Sequence, residues 1–345
     1  MSSLRTLKRR RDTFVRIRTP RDLAALLEYP AHKLQLLSME PRYHTFQLPK
    51  ADGSKRLIEN PEPSLKYIQR RLNNYLQSTY YFVCTDAAYG FIRSRRREPD
   101  PRNILTHAQQ HLGCQWLINI DIEDFFHRVS FQKVWEIFTQ PPFDFNDELA
   151  QLLTRLCTWK ERLPMGAPSS PALSNFSCMA MDEDLLSLAS WGGWKFTRFV
   201  DDMSFSSAEE IDYQAVGKIV QTVENHGYEL NPEKFKRMGP EDTKIVTGLR
   251  VGENVIRLQE EFLPRLRKSI YKLGHVLDVQ SQANARHTEW VEDFQDQIEG
   301  MLTFASFVLG EEAPEIQEIE EELDHALVPD PKFSTQSWLS FAQYV

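Results

Sequence analysis

No Cys-x-x-Cys pair occurs in this 345-residue chain, whose four cysteines, Cys84, Cys114, Cys157 and Cys178, are scattered. That spacing excludes a zinc ribbon and a disulfide framework and fits a reducing compartment. Long hydrophobic runs are missing too. The longest, MLTFASFVLG from Met301 to Gly310, is about half of what a helix needs to cross a bilayer. The N-terminus carries no apolar signal segment, so the expectation is a soluble intracellular protein with no membrane partner. There is no internal repeat and no low-complexity linker. An excess of positive charge is also lacking, since 41 Lys and Arg face 49 Asp and Glu for a net charge of -8. That average hides an uneven distribution. Residues 1 to 20 hold seven basic residues against one Asp, RSRRR spans Arg93 to Arg97, and PRLRKSIYK spans Pro264 to Lys272. Residues 311 to 330 hold nine acidic residues and no Lys or Arg. Contact with a polyanion depends on local fields, so the three patches keep a nucleic-acid partner open despite the acidic total.

What is present is an ordinary globular composition, 41% hydrophobic and 26% charged, long enough for a real core and two or three subdomains. RDLAALLEYPAHKLQLL reads as helix broken at Pro30. HTFQLPKADGSKRLIENP reads as two strands joined by a turn around the Asp-Gly pair. PSLKYIQRRLNNYLQSTY places Leu65, Ile68, Leu72 and Leu76 at helical spacing behind Pro63. QWLINIDIEDFF reads as a strand and then a turn, PSSPALSNFSCMAMDEDLLSLAS as one helix, and KFTRFVDDMSFSS as a hairpin. DYQAVGKIVQTVENHGYELN reads as a helix ended by Gly227 and followed by a strand. From about Arg257 the pattern is mostly helical. Strands interleaved with helices and followed by a helical tail give an α+β catalytic region with a helical appendage.

Two adjacent carboxylates, Asp201 and Asp202, stand at the tip of that last hairpin. Asp favours turns, so a plain hairpin tip is the simplest reading. In LINIDIEDFF, however, Ile118, Ile120 and Ile122 fall on one strand face, with Asn119 and Asp121 on the other. If the hairpin pairs beside this strand, three carboxylates converge. Such a cluster repels itself unless cations neutralise it. Oxygen-seeking Mg²⁺ suits it, and a pair of such ions clamps both oxygens of an in-line phosphoryl displacement.

The order of motifs resembles that of the reverse transcriptases, and specifically the retron reverse transcriptases of bacteria. DIEDFF from Asp121 matches the family's D-x-x-x-F-F setting, and FVDD matches its aromatic-x-D-D hairpin, with Phe199 where Tyr is usual. LPMGAPSSPALSN, Leu163 to Asn175, matches the turn and helix between them, with Met165 in place of the usual Gln. LPKADGSKRLIENPEPSLKYIQ matches the fingers signature, and YELNPEKFK carries Lys234 at the usual lysine position. Two boxes point to retrons. HAQQH, His107 to His111, is one residue away from the family's N-A-x-x-H, and V-T-G is present unaltered as Val246, Thr247 and Gly248. The resemblance covers roughly residues 45 to 310.

The resemblance implies a right-hand polymerase: fingers, palm and thumb, with an antiparallel palm sheet and a helical thumb. The expected divisions are residues 1–115 for N-terminal helices and fingers and 116–240 for the palm, with finger elements interleaved around 130–165. Residues 241–345 would form the thumb and C-terminal helices. Asp121, Asp201 and Asp202 would be catalytic and, with Ile122, would hold two Mg²⁺ ions. Lys50, Arg56, Phe126, Met165, Gly166 and Lys234 would contact the deoxynucleoside triphosphate, Phe126 as the gate against a 2′-hydroxyl. His107, His111, Val246, Thr247, Gly248, Arg265, Lys268 and Lys272 would meet RNA. For the two histidines a structural role is the other reading. A metal pair is not supported, because no carboxylate or Cys motif completes a site.

The implied partners are a cognate structured non-coding RNA, its DNA product and a separately encoded effector protein, in the bacterial cytoplasm. The implied activity copies part of that RNA into multicopy single-stranded DNA (msDNA), primed from an RNA 2′-hydroxyl, in defence against phage. Two alternatives stay open: a defence-associated reverse transcriptase without a retron RNA, and a catalytically silent RNA-binding scaffold. The V-T-G and HAQQH boxes speak against the first, and the intact carboxylates against the second.

Overall fold

The computed structural model describes residues 3–49, 53, 55–93, 98–282 and 288–328. Within them the chain separates into two compact units, Met1–Thr247 and Gly248–Val345. The first mixes helices with two antiparallel sheets. A two-stranded ribbon pairs β1 (Tyr43–Pro49) with β2 (Lys55–Pro61), in register from Tyr43↔Pro61 to Pro49↔Lys55. The expected turn falls between those last partners, where Gly53 takes a left-handed φ of 81°. Lys50 lies outside the described residues.

The second sheet has the order β4-β5-β3-β6, from β3 (Trp116–Asp121), β4 (Lys195–Phe199), β5 (Asp202–Ser207) and β6 (Lys236–Met238). β3 is central because its apolar alternation can be covered. Ile118, Ile120 and Ile122 are at most 2% exposed. The helix Pro63–Tyr80 contributes Leu65, Ile68, Leu72 and Leu76 to the same core. Each such fully buried aliphatic side chain contributes about 1.5–3 kcal/mol. Phe196 of β4 stacks on Phe205 of β5 at 4.6 Å, a cross-strand pair that reinforces the hairpin.

The helix ended by Gly227 is present as Tyr213–Asn225, with φ 76° at the glycine. The strand expected after it is reduced to one bridge, Ile122↔Leu230. The single helix expected over PSSPALSNFSCMAMDEDLLSLAS is two, Ser170–Ser177 and Met179–Gly192, meeting at Cys178. Ser174 and Ser177 donate their hydroxyls to the carbonyls of Pro171 and Ser174 at 3.0 and 2.7 Å. Serines that bond back to the preceding turn in this way compete with the helical ladder.

The second unit is helical, as its periodicity predicts. Leu249–Val251 and Ile256–Arg257 form a small antiparallel pair. Helices Phe262–Gln282, Glu289–Leu309 and Pro314–Leu327 follow, closing on Leu266, Ile270, Leu273, Val291, Ile298 and Ile319. No helix among the described residues is long and apolar enough to cross a membrane.

Candidate active site

The pairing of β3 with β5 sets Asp121 directly across from Asp202. Asp201 joins them at the hairpin tip, its carbonyl accepting from the Ile122 N–H at 3.1 Å. The three carboxylates perturb one another. Asp201 is raised above the ordinary range by burial first and then by the charge of Asp121. Asp202 keeps part of its surface open to solvent, yet protein crowding first, and then Asp201 and Asp121, push it up to about 7. Lys234 pulls both the other way, and its ammonium sits 2.7 Å from Asp121 Oδ2. Arg56 on β2 also favours the charged form of Asp201, so it reaches this cluster electrostatically.

Among the described residues, no group of three or more His, Cys, Asp or Glu side chains is placed so that it could hold a metal ion. Carboxylate oxygens are nonetheless the donor type that a divalent cation takes. Asp121 is buried, Asp201 half-buried and Asp202 exposed, and the Lys234 ammonium beside them offsets part of their shared charge.

The hairpin tip is held under strain. Val200, a β-branched residue, adopts φ 63°, a conformation that costs of order 1–3 kcal/mol and persists only where surroundings impose it. Arg198 imposes it. The Arg198 side chain is 0% exposed and donates to both Asp182 oxygens at 2.7 Å, to Asn175 Oδ1 at 3.1 Å and to the Val200 carbonyl at 2.8 Å. Gly90 packs against the tip so closely that an added Cβ would lie 2.5 Å from Val200 Cγ2. Sequence reasoning missed Arg198, because an arginine on a hairpin strand reads as solvent-facing.

The turn Leu163–Ala167 docks on β2. Met165 donates its N–H to Glu59 Oε2 at 3.1 Å and accepts from the Glu59 N–H at 2.6 Å. Gly166 has φ 119°, and a Cβ there would meet Ile58 Cγ2 at 3.0 Å and the Glu59 carbonyl at 3.2 Å, so the turn needs glycine. Glu59 was also missed. It is 0% exposed, takes both Arg162 terminal nitrogens at 2.9 and 2.8 Å, and lies 3.2 Å from His127 Nε2. Burial opposes its charge, but the Arg162 hydrogen bonds and charge outweigh that and hold its carboxyl below the usual range. His127 reaches Asp124 at 2.7 Å with its other nitrogen. It lies next to Phe126, whose half-buried ring packs 5.5 Å from Phe125 and 6.3 Å from Phe91.

One carboxylate thus ties β2, the Met165–Gly166 turn and, through His127, the short helix Phe125–Arg128 together. Glu59→Gln should therefore raise KM for deoxynucleotides about tenfold, the effect of one charge-assisted hydrogen bond. It should also weaken discrimination against ribonucleotides, with kcat less affected. A fall in thermal midpoint with KM and discrimination unchanged would make Glu59 a purely structural residue.

The two boxes set apart by sequence meet in space. His107 Nδ1 lies 3.3 Å from Thr247 Oγ1, and the His107 ring packs 5.6 Å from Phe199 and 5.3 Å from Tyr89. His111 is bonded on both nitrogens, to Ser206 and Thr197 hydroxyls at 2.7 Å each. Burial lowers both histidines to about 3, so they are neutral at physiological pH. The expectation that they contact RNA is corrected here: at 0% and 1% exposed they are structural residues behind the hairpin. Val246 is likewise 0% exposed and offers RNA no surface. Thr247 and Gly248 keep some surface and are consecutive left-handed residues, with φ 46° and 83°. In the second unit Arg265 and Lys268 are exposed and Lys272 is half-buried, on the helix whose Leu266, Ile270 and Leu273 face its core.

Three carboxylates thus stand together at the ends of the two inner strands of an antiparallel sheet, β3 and β5. A reverse transcriptase (RNA-dependent DNA polymerase) family model matches residues 48–263, and the chain belongs to that family. Its curated relatives include the retron Ec86 reverse transcriptase of Escherichia coli, 28% identical over 254 residues, which are 70% of this chain and 73% of that one. The retron Mx65 reverse transcriptase of Myxococcus xanthus is 29% identical over 321 residues, 86% of this chain and 70% of that one. The protein is a retron-type reverse transcriptase, an RNA-directed DNA polymerase with the right-hand fold of its family. Among solved structures, a Candida albicans telomerase in complex with a fragment of telomeric RNA shares 11% identity. It covers 90% of this chain and 67% of that one at a TM-score of 0.45, a likeness too low to bear on function.

Proposed function

We propose that this polymerase copies part of one structured non-coding RNA into multicopy single-stranded DNA, primed from a 2′-hydroxyl of that RNA. The single observation that carries the reading is the register Asp121↔Asp202 with Asp201 at the adjoining tip. Enzymes of this family depend on divalent metal, and here Asp121, Asp201, Asp202 and the main chain at Ile122 would hold two Mg²⁺ ions. Bound there, the metal would lower the pKa of the attacking hydroxyl and neutralise the leaving pyrophosphate.

The chain's own residues do the rest. Lys50 and Arg56 draw in the triphosphate, Phe126 blocks a 2′-hydroxyl, and Met165 and Gly166 shape the floor of the nucleotide pocket. Lys234 holds the Asp121 carboxylate in place through their 2.7 Å ion pair. Residues 1–115 serve as N-terminal helices and fingers, 116–240 as palm, with finger elements around 130–165, and 241–345 as thumb. Thr247, Gly248, Arg265, Lys268 and Lys272 meet the RNA. The setting is the bacterial cytoplasm, with a separately encoded effector protein, in defence against phage.

Sequencing the nucleic acid that co-purifies with the protein tests this. The expected result is one RNA species joined through an internal residue to DNA copied from it. Synthesis should stop with EDTA and return with Mg²⁺. A random sample of cellular RNA, with no attached DNA, would remove the retron-specific part of the proposal.

A further inference from the structure

We propose that the outer face of the N-terminal helix Leu4–Phe14 is a second nucleic-acid surface, one that grips the phosphodiester backbone outside the candidate active site. This rests on the reading of the chain as an enzyme acting on RNA. Arg5, Lys8, Arg9 and Arg16 are exposed and, with Asp12 and Thr13, line an open groove of about 370 Å³. The one carboxylate in the groove is already taken, since Arg11 holds Asp12 Oδ1 at 2.9 and 2.7 Å. Among the described residues, no carboxylate lies within ion-pair distance of Arg5, Lys8, Arg9 or Arg16.

This arrangement works against the helix that carries it. Its first turn has no acidic residue, and cations there oppose the helix dipole. Arg5 repels Lys8 and Arg9 at i,i+3 and i,i+4. The helix forms because its other face is anchored. Leu7 and Phe14 are 0% exposed, and Phe14 packs edge-on against Phe143 at 5.5 Å and Phe145 at 5.4 Å. On a chain with a net charge of -8, such an unbalanced island adds nothing to solubility that mixed charge would not. It is suited to an external polyanion.

The same anchoring selects the partner. A helix that binds a lipid surface must insert an apolar face. Here that face is spent on the protein core, and Leu4, at 44% exposed, is the one large apolar side chain left outside on this helix. Guanidinium groups instead match phosphate oxygens through paired donors. Contact of this kind releases counterions and carries no base specificity. It would hold any segment of the template RNA, or of the DNA product, that extends beyond the catalytic cleft.

The test compares the whole protein with R5E/K8E/R9E and with R5Q/K8Q/R9Q. The glutamine form removes the repulsion and keeps helix propensity, so it guards against loss of fold. Probes are a long hairpin RNA, single-stranded DNA of the same sequence, and phosphatidylserine–phosphatidylcholine vesicles. Both variants should bind nucleic acid about tenfold more weakly or worse at physiological salt. The slope of log K against log salt should fall by roughly 2–3. Extension of a short primed template should stay near wild type. A deficit on RNA alone or on DNA alone would identify which strand occupies the groove and support the proposal. Equal affinity and slope in all three proteins would overturn it, as would vesicle binding that the variants lose while nucleic-acid binding stays unchanged. Failure of the wild type to bind any nucleic acid would sink the polymerase reading instead.

Discussion

Asp201→Asn combined with Asp202→Asn should abolish DNA synthesis without lowering the thermal midpoint. The two effects separate because the carboxylates serve chemistry at the expense of local electrostatics. Crowding by the surrounding protein and mutual repulsion raise both groups, Asp202 to about 7. Asparagine keeps their size and removes the like charge facing Asp121. The fold therefore loses nothing, while the oxygens that would hold the cations needed to neutralise a transferring phosphoryl group lose their charge. Electrostatic stabilisation of that kind is worth several kcal/mol, so activity should fall roughly a thousandfold or more. Mg²⁺ should raise the midpoint of the wild type by binding the folded state, and should leave the variant unmoved. Primer extension at the wild-type rate by the variant, or the same Mg²⁺-dependent stabilisation, would remove these residues from the site.

The second large effect is expected at Asp182, which touches no substrate. Asp182→Ala strands the Arg198 guanidinium, 0% exposed, without its countercharge and leaves Thr85 Oγ1 without the acceptor it holds at 2.9 Å. Breaking one side of a buried pair costs about 3–5 kcal/mol, a fall in thermal midpoint of roughly ten degrees for a chain of this size. Synthesis should be lost with it. The informative comparison is Asp182→Leu with Arg198→Met, which buries no charge and should recover much of the stability. It cannot restore the donor that Arg198 gives the Val200 carbonyl at 2.8 Å. With Val200 free to leave φ 63°, the tip relaxes and Asp201 and Asp202 lose their alignment. Stability should return while kcat stays low. Wild-type kcat in that double variant would show that the pair serves packing alone and does not position the hairpin.

The chain by itself determined its local elements and their order. Alternation in LINID, the Asp-Asp hairpin, the Pro63 helix start and the Gly227 stop are short-range signals. Each depends on backbone geometry within a few residues, and each is present in the fold. The carboxylates could be nominated for the same reason: alternation puts Asp121 opposite the isoleucines, and a turn displays Asp201 and Asp202.

Partners distant in sequence were decided only by the tertiary structure. Asp121 meets Asp202 through strand register, and His107 meets Thr247 across 140 residues. Glu59 and Arg198 look like surface charges until Arg162, Met165, Asp182 and Val200 close around them. The helix expected across Cys178 divides there. His107, His111 and Val246, expected on an RNA-facing surface, are buried, the two histidines against the hairpin. A polar residue's role follows from what covers it, and no local pattern encodes that. Periodicity says which face of an element is apolar. Whether a charged or polar side chain on the other face meets water, a partner or substrate depends on the packing of segments far apart in the chain.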